Sequence, residues 1–211
     1  MIDLTVLFKM VVTLFVIVDP VGNIPLFLNA TEKWPLARRT HAARMAAVTV
    51  FVVLSLAALL GEQILHLFGI SLASFSVGSG ILLLLLAISM LQARTSALRQ
   101  TPEEAEEAVE REALGVVPLG IPLLAGPGAI SNVMISVQHH PGWGGLLLIL
   151  FPIGVVSVSV WGSFVFALPI ARRLGKTGIH IVTRLMGLIL AALAVELMAH
   201  GLVVLLPALG R

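Results

Sequence analysis

The stretch Val18-Asp19-Pro20-Val21-Gly22-Asn23-Ile24-Pro25-Leu26-Phe27 decides how this chain folds. It lies inside an apolar run over 4–30, and about 20 apolar residues are enough to span hydrocarbon. A plain helix cannot run through it. Pro20 has no N–H, so the carbonyl of Val16 loses its helical donor, and Pro25 does the same to Val21. Each proline also biases the residue before it, Asp19 and Ile24, away from the helical region. Gly22 lowers the cost of unwinding. In hydrocarbon every unpaired backbone group is costly, so the break must face protein or a water-filled cavity.

A second break answers the first. Leu124-Ala125-Gly126-Pro127-Gly128-Ala129-Ile130-Ser131-Asn132-Val133 carries the same kind of helix breakers, with Pro118 and Pro122 just upstream. Pro20 and Pro127 stand 107 residues apart. The same offset sets Gly80-Ile81-Leu82-Leu83 on Gly187-Leu188-Ile189-Leu190, Leu67 on Leu174 and Ala87 on Ala194. Leucine and alanine matches are cheap in such a composition, so the aligned breakers carry the weight. One such proline is as well explained as a structural kink. Two matched clusters, one holding an acid, point to a site.

The whole chain is built for lipid. Of its 211 residues 58% are hydrophobic and 11% charged, against roughly 25% charged in a soluble domain. Mean hydropathy is +1.06. A formal charge of +2 supports no nucleic-acid partner, and the absence of cysteine excludes disulfides and thiol chemistry. Six stretches are long enough to span: 4–30, 41–60, 71–91, 113–138, 144–170 and 181–206.

The links between them sort by charge. The first and its margins hold Lys33, Arg38, Arg39 and Arg44; the third holds Arg94, Arg99 and Arg111. Arg172, Arg173 and Lys176 occupy the fifth, with Arg184 just inside the next span. Links 61–70 and 139–143 have no Lys or Arg. The positive-inside rule then puts the odd links in the cytoplasm and both termini outside. Lys9 and Arg211 alone oppose it. Trp34 and Trp143 suit interfacial belts.

The expected plan is an all-α membrane protein of one domain, 1–211. A first three-helix repeat over 1–92 and a second over 113–211 flank an acidic link, 93–112, read as a solvated connector. Three spans per half invert the second half, the plan of many secondary transporters, whose substrates bind near the midplane between broken helices. Half-helices restarting near Gly22–Asn23 and Gly128–Ser131 would aim free N–H groups and positive dipole ends into the cavity, which suits a carboxylate. The carbonyls of Val16 and Val21, with Asp19, suit a cation, an ammonium group or a proton. A zwitterionic amino acid needs both signs close together.

Asp19, Pro20, Gly22, Asn23, Gly126, Pro127, Gly128, Ala129, Ser131 and Asn132 are therefore the candidate substrate-binding residues. A charged aspartate at mid-membrane costs at least ~2.5–3.5 kcal/mol, and such residues mark ion or substrate routes. Its blander role is to cap the Gly22 and Asn23 amides. Asp19 and Glu196 are the candidates for a coupling ion, Na+ or H+. The alternative for Glu196 is a carboxyl hydrogen-bonded between helices, with His200 one turn further on. Gly78, Gly80 and Gly187 read as close helix contacts. His139-His140 has no third ligand nearby, so no metal site is expected, and no motif calls for a cofactor.

With Asp19-Pro20-Val21-Gly22-Asn23-Ile24-Pro25 and Gly126-Pro127-Gly128-Ala129-Ile130-Ser131 both in place, the chain resembles the MarC family of bacterial inner-membrane proteins. The resemblance runs over essentially the whole length and includes Arg184-Leu185-Met186-Gly187-Leu188-Ile189-Leu190-Ala191-Ala192. It extends to an archaeal, ion-driven transporter of small neutral amino acids such as glycine and alanine. The resemblance implies that activity here, with export as one possible direction. A family position often held by glutamine is Glu196 in this chain, which puts coupling or substrate choice in doubt.

Two other readings compete. A drug or metabolite efflux protein would want a wide cavity rich in aromatics, and only nine Phe, three Trp and no Tyr are present. A non-transporting scaffold or sensor would use the acidic link and leave the broken helices dispensable. An enzyme is not expected, for there is no nucleophile–base pairing, no His-Glu-x-x-His and no P-loop. The expected partners are a small-molecule substrate and the lipid bilayer, with a homo-oligomer left open.

Overall fold

The computed structural model describes residues 4–92, 124–140 and 142–207. Among them the regular structure is helical, in the order α1 Leu4–Val18, α2 Ile24–Ala30, α3 Leu36–Leu67, α4 Leu72–Leu91, α5 Pro127–His139, α6 Trp143–Val165 and α7 Ala167–Leu205. Four helical stretches are long and apolar enough to cross a membrane: α3, α4, α6 and Thr177–Leu205 within α7. α1 is a shorter apolar helix. The acidic link 93–112 and the start of the fourth expected span, 113–123, lie outside the described residues.

Lipid tails are as apolar as leucine, so helices in a membrane associate through close packing rather than through escape from water. The sequence supplies that packing as stripes of small residues. On α3 the buried face is Ala43, Ala46, Ala47, Val50, Leu54, Ala58, Gly61 and Leu65, repeating every three or four residues. α6 answers with Ile149, Ile153, Val156, Val160 and Phe164 at the same spacing. The two helices pack against each other, and the Gly61 end of the α3 face meets Met134 of α5. The outward faces stay apolar, as in Val48, Phe51, Val158 and Trp161. That is what a hydrocarbon solvent requires.

α4 and α7 form the closest seam. A Cβ on Gly80 would lie 2.5 Å from Met198 Cγ and 2.9 Å from the Ala194 carbonyl oxygen. One on Gly187 would meet Met90 Cβ at 3.0 Å and the Ala87 carbonyl at 3.1 Å, and one on Gly201 would meet the Ala73 carbonyl at 2.6 Å. Gly80 and Gly187 are close contacts, as the sequence led us to expect. Gly78 is not: it is exposed, with nothing within 4 Å of its added Cβ.

Some boundaries differ from the expected ones for local reasons. α3 has 32 residues, about 48 Å at 1.5 Å per residue, and so overshoots a ~30 Å hydrocarbon layer. Its extra turns carry Arg38 and Arg39, which the apolar count left out. Arg38 lies over the Trp34 ring at 3.9 Å, and the Arg39 guanidinium donates to the Thr31 and Glu32 carbonyls at the end of α2. The fifth span, read as one helix over 144–170, is stepped at Phe166. Pro169 cannot donate to Val165, so α6 ends there and α7 begins at Ala167. The reversal after it falls at Gly175, whose φ of 63° and ψ of 178° are open in practice to glycine alone.

Candidate functional site

The first break spans the five residues between α1 and α2. The Asp19 amide still donates to Phe15 at 2.9 Å, so the helix runs up to Asp19 before it fails at Pro20. Asp19 then turns into the left-handed region, with φ of 47°. Proline bars the right-handed helical well to the residue before it, and aspartate is among the few side chains that enter the left-handed one. Asp19, Pro20, Gly22 and Asn23 are all buried. The polar break is held inside protein, as a lipid surround demands.

The break satisfies much of its own backbone. Asp19 Oδ1 accepts the Gly22 amide at 3.0 Å. The Asn23 amide donates to the Asp19 carbonyl at 3.3 Å, and its side-chain Nδ2 donates to the Asp19 and Val18 carbonyls at 2.8 and 3.3 Å. Ile24 N–H takes the Val21 carbonyl at 3.1 Å. Two expectations change as a result. Val21 does not offer a bare carbonyl. Asn23 spends its amide nitrogen on the backbone, and only Oδ1 is left without a described partner. Gly22 is required by geometry: a Cβ there would fall 2.0 Å from Asp19 Oδ2.

The second break restarts at Pro127, one residue before the expected Gly128–Ser131 restart, with Gly126 as the extended N-cap. Proline at the first helical position forgoes an N–H that would have been orphaned anyway. The Gly126 carbonyl accepts the Ala129 and Ile130 amides at 3.0 and 3.1 Å. Gly128, Ala129 and Ser131 are buried and Asn132 is half-buried. Ser131 Oγ donates to Ser76 Oγ on α4 at 3.2 Å, while the Asn132 side chain makes no hydrogen bond to a described residue.

The two breaks approach each other. A Cβ on Gly128 would lie 3.5 Å from Ile17 Cγ2, two residues before Asp19, and 3.2 Å from Leu83 Cδ1. The structure thus brings the ends of α1 and α5 together, with apolar Ile17 and Leu83 filling the space beside Gly128. Ile17, Leu83, Ser76 and Ser79 were not anticipated. Ser76 and Ser79 are buried on α4, and Ser79 Oγ has no described partner. The signal was present in Ser74-Phe75-Ser76-Val77-Gly78-Ser79-Gly80, a run of small polar residues within a span.

Glu196 is not part of this cluster. Leu190, Ala194, Leu197 and Gly201 line the buried face of α7, whereas Glu196 and His200 are exposed on the other side. Two residues from Ala194 is 200° around a helix. The His200 ring meets His139 edge to face at 6.3 Å between centroids.

The comparisons with known proteins agree with this architecture. The family model for "MarC family integral membrane protein" matches residues 4–206. The membrane protein YhcE of Escherichia coli (strain K12) is 38% identical over 207 residues, 98% of this chain and 96% of its own length. YvbG of Bacillus subtilis (strain 168) is 36% identical over 199 residues, 94% of each chain. A membrane protein of Methanocaldococcus jannaschii is 35% identical over 190 residues, 90% of this chain and 92% of its own. No solved structure matches. This multi-pass integral membrane protein belongs to the MarC family.

Proposed function

We propose that the chain is an ion-coupled secondary transporter of small neutral amino acids, with its substrate held near the midplane where the broken helices meet. The observation that carries the reading is the approach of Gly128 to Ile17, which sets the α5 N-terminus beside the Asp19 turn. One side presents the N-terminus of α5, suited to a carboxylate. The other presents Asp19, suited to an ammonium group or to Na+ or H+. Leu83 and Ile17 fill the space between in this state and must move for a guest to enter.

An inverted pair of three-span halves supports alternating access. α3 runs from Leu36 to Leu67. The same 107-residue offset carries those ends to the start of α6 at Trp143 and to Leu174, just before the Gly175 reversal. Gly80 rests on Ala194, and Gly187 rests on Ala87, so exchange of the halves exchanges the contacts. That exchange supports a pseudo-two-fold axis, and rocking one half against the other would expose the tips to each side in turn. Both termini are assigned to the periplasmic side of the inner membrane on the loop charges.

Uptake and counterflow of glycine and alanine into proteoliposomes test the reading. Asp19→Asn and Gly128→Leu are each expected to lower the rate at least a hundredfold while the protein still purifies folded. Unchanged rates in both variants would remove the site, and no counterflow by the unaltered protein would remove the function.

A further inference from the structure

A second, unrelated feature lies on the membrane-facing side of α3 and α6. Between them runs a groove of about 580 Å3, open to the surround and lined by Arg44, Ala47, Phe51, Gly154, Ser157 and Trp161, among others. Its floor is made by the small residues, for a Cβ on Gly154 would meet nothing nearer than the Phe51 ring at 4.0 Å. Its lips are apolar and exposed, Val48 at 46% and Val158 at 65%. In an integral membrane protein this recess faces acyl chains, and left empty it would forfeit the dispersion contacts of its walls.

The polarity of the groove is graded along its length. Phe51 lies against Gly154. With the two helices antiparallel, as the loop charges require, Val48 stands level with Ser157 and Arg44 level with Trp161. Arg44 and Phe51 are seven residues apart, roughly 10 Å along the helix. One end therefore holds Arg44 and Trp161, and the far end only aromatic and aliphatic surface. Arg44 is exposed and makes no hydrogen bond or ion pair to a described residue. Ser157 is 5% exposed, and its Oγ has no described hydrogen-bond partner. That oxygen is itself closed off from the groove, so the polar recognition there falls to Arg44.

We propose that this groove is a binding site for one anionic phospholipid of the leaflet on the Arg44 side. The phosphate sits on the Arg44 guanidinium near Trp161, and an acyl chain lies over Gly154 against Phe51. A guanidinium matches phosphate in charge and in hydrogen-bonding shape, and one basic side chain near an anionic lipid surface is worth ~1 kcal/mol, about fivefold. The loop charges put that leaflet on the cytoplasmic side. The site is independent of the transport reading and can be tested without it.

The test is native mass spectrometry of the protein released from nanodiscs made of equal parts phosphatidylglycerol and phosphatidylethanolamine. The unaltered protein is expected to retain one lipid, with phosphatidylglycerol enriched about fivefold. Arg44→Gln is expected to lose the enrichment while still retaining a lipid. Gly154→Leu fills the floor and is expected to lose the lipid itself. Val158→Trp, at an exposed lip where folding is not at stake, should weaken retention in the same way. Equal enrichment in the unaltered protein and Arg44→Gln would overturn the proposal. So would a dimer that Gly154→Leu or Val158→Trp converts to monomer, which would assign the groove to a second copy of the chain.

Discussion

Gly22→Ala is expected to abolish transport and to destabilise the fold by about 2–3 kcal/mol, although it adds a single methyl group. The added carbon would fall 2.0 Å from Asp19 Oδ2 and 2.7 Å from Asp19 Cγ, so the carboxylate must leave its place. Its bond from the Gly22 amide at 3.0 Å is then lost. Overpacking in a dense interior costs about 1–3 kcal/mol, and a buried group stripped of its partner about as much again. Asp19 has 2% exposure, so there is little room for it to relocate. Thermal unfolding in detergent should fall by several degrees, and alanine counterflow should drop to background. A variant that keeps both values would show that the carboxylate position is immaterial.

The second large effect is expected at the α4–α7 seam. Gly187→Leu should cost about 3 kcal/mol or more, a drop in apparent Tm on the order of 10 °C. An added Cβ already meets Met90 Cβ at 3.0 Å and the Ala87 carbonyl at 3.1 Å, and backbone cannot swing aside as a side chain can. Gly80→Leu should do at least as much, because its Cβ would stand 2.5 Å from Met198 Cγ and 2.9 Å from the Ala194 carbonyl. Gly78→Leu is the control, with open space beside it and little change expected. Differential scanning fluorimetry reads all three. A Gly187→Leu protein as stable as Gly78→Leu would mean that the two helices do not pack as described.

Both sites show what the sequence made legible. Pro20 and Pro127 announced their breaks because a missing N–H acts locally, whatever surrounds it. The glycines at 80 and 187 were found through the offset that links them. What could not be read was how each break would settle. Whether Asn23 faces a guest or folds back on the Val18 and Asp19 carbonyls depends on which acceptors lie within reach, and that is a matter of three dimensions. Glu196 was singled out by its depth in a span, yet depth along a helix says nothing of the face. Its neighbours Ala194 and Leu197 take the seam and leave it outside. The length of α3 was underestimated because basic turns outside the hydrocarbon break an apolar count without breaking a helix. The serines of α4 were passed over because each alone is unremarkable in a membrane helix. Only the packing of Ser76 against Ser131 gives them a place at the tips.

The central claim is that the end of α1 and the start of α5 together hold a polar guest. The chain has no cysteine, so one can be placed at will. Asn132→Cys puts a thiol one helical turn beyond Gly128, at a half-buried position whose side chain bonds no described residue. The measurement is its rate of modification by a small water-soluble methanethiosulfonate in proteoliposomes, with and without saturating glycine or alanine. The account predicts a thiol that reacts from water and is shielded when the amino acid is present. A thiol that never reacts, or reacts at one rate whatever is added, would contradict it.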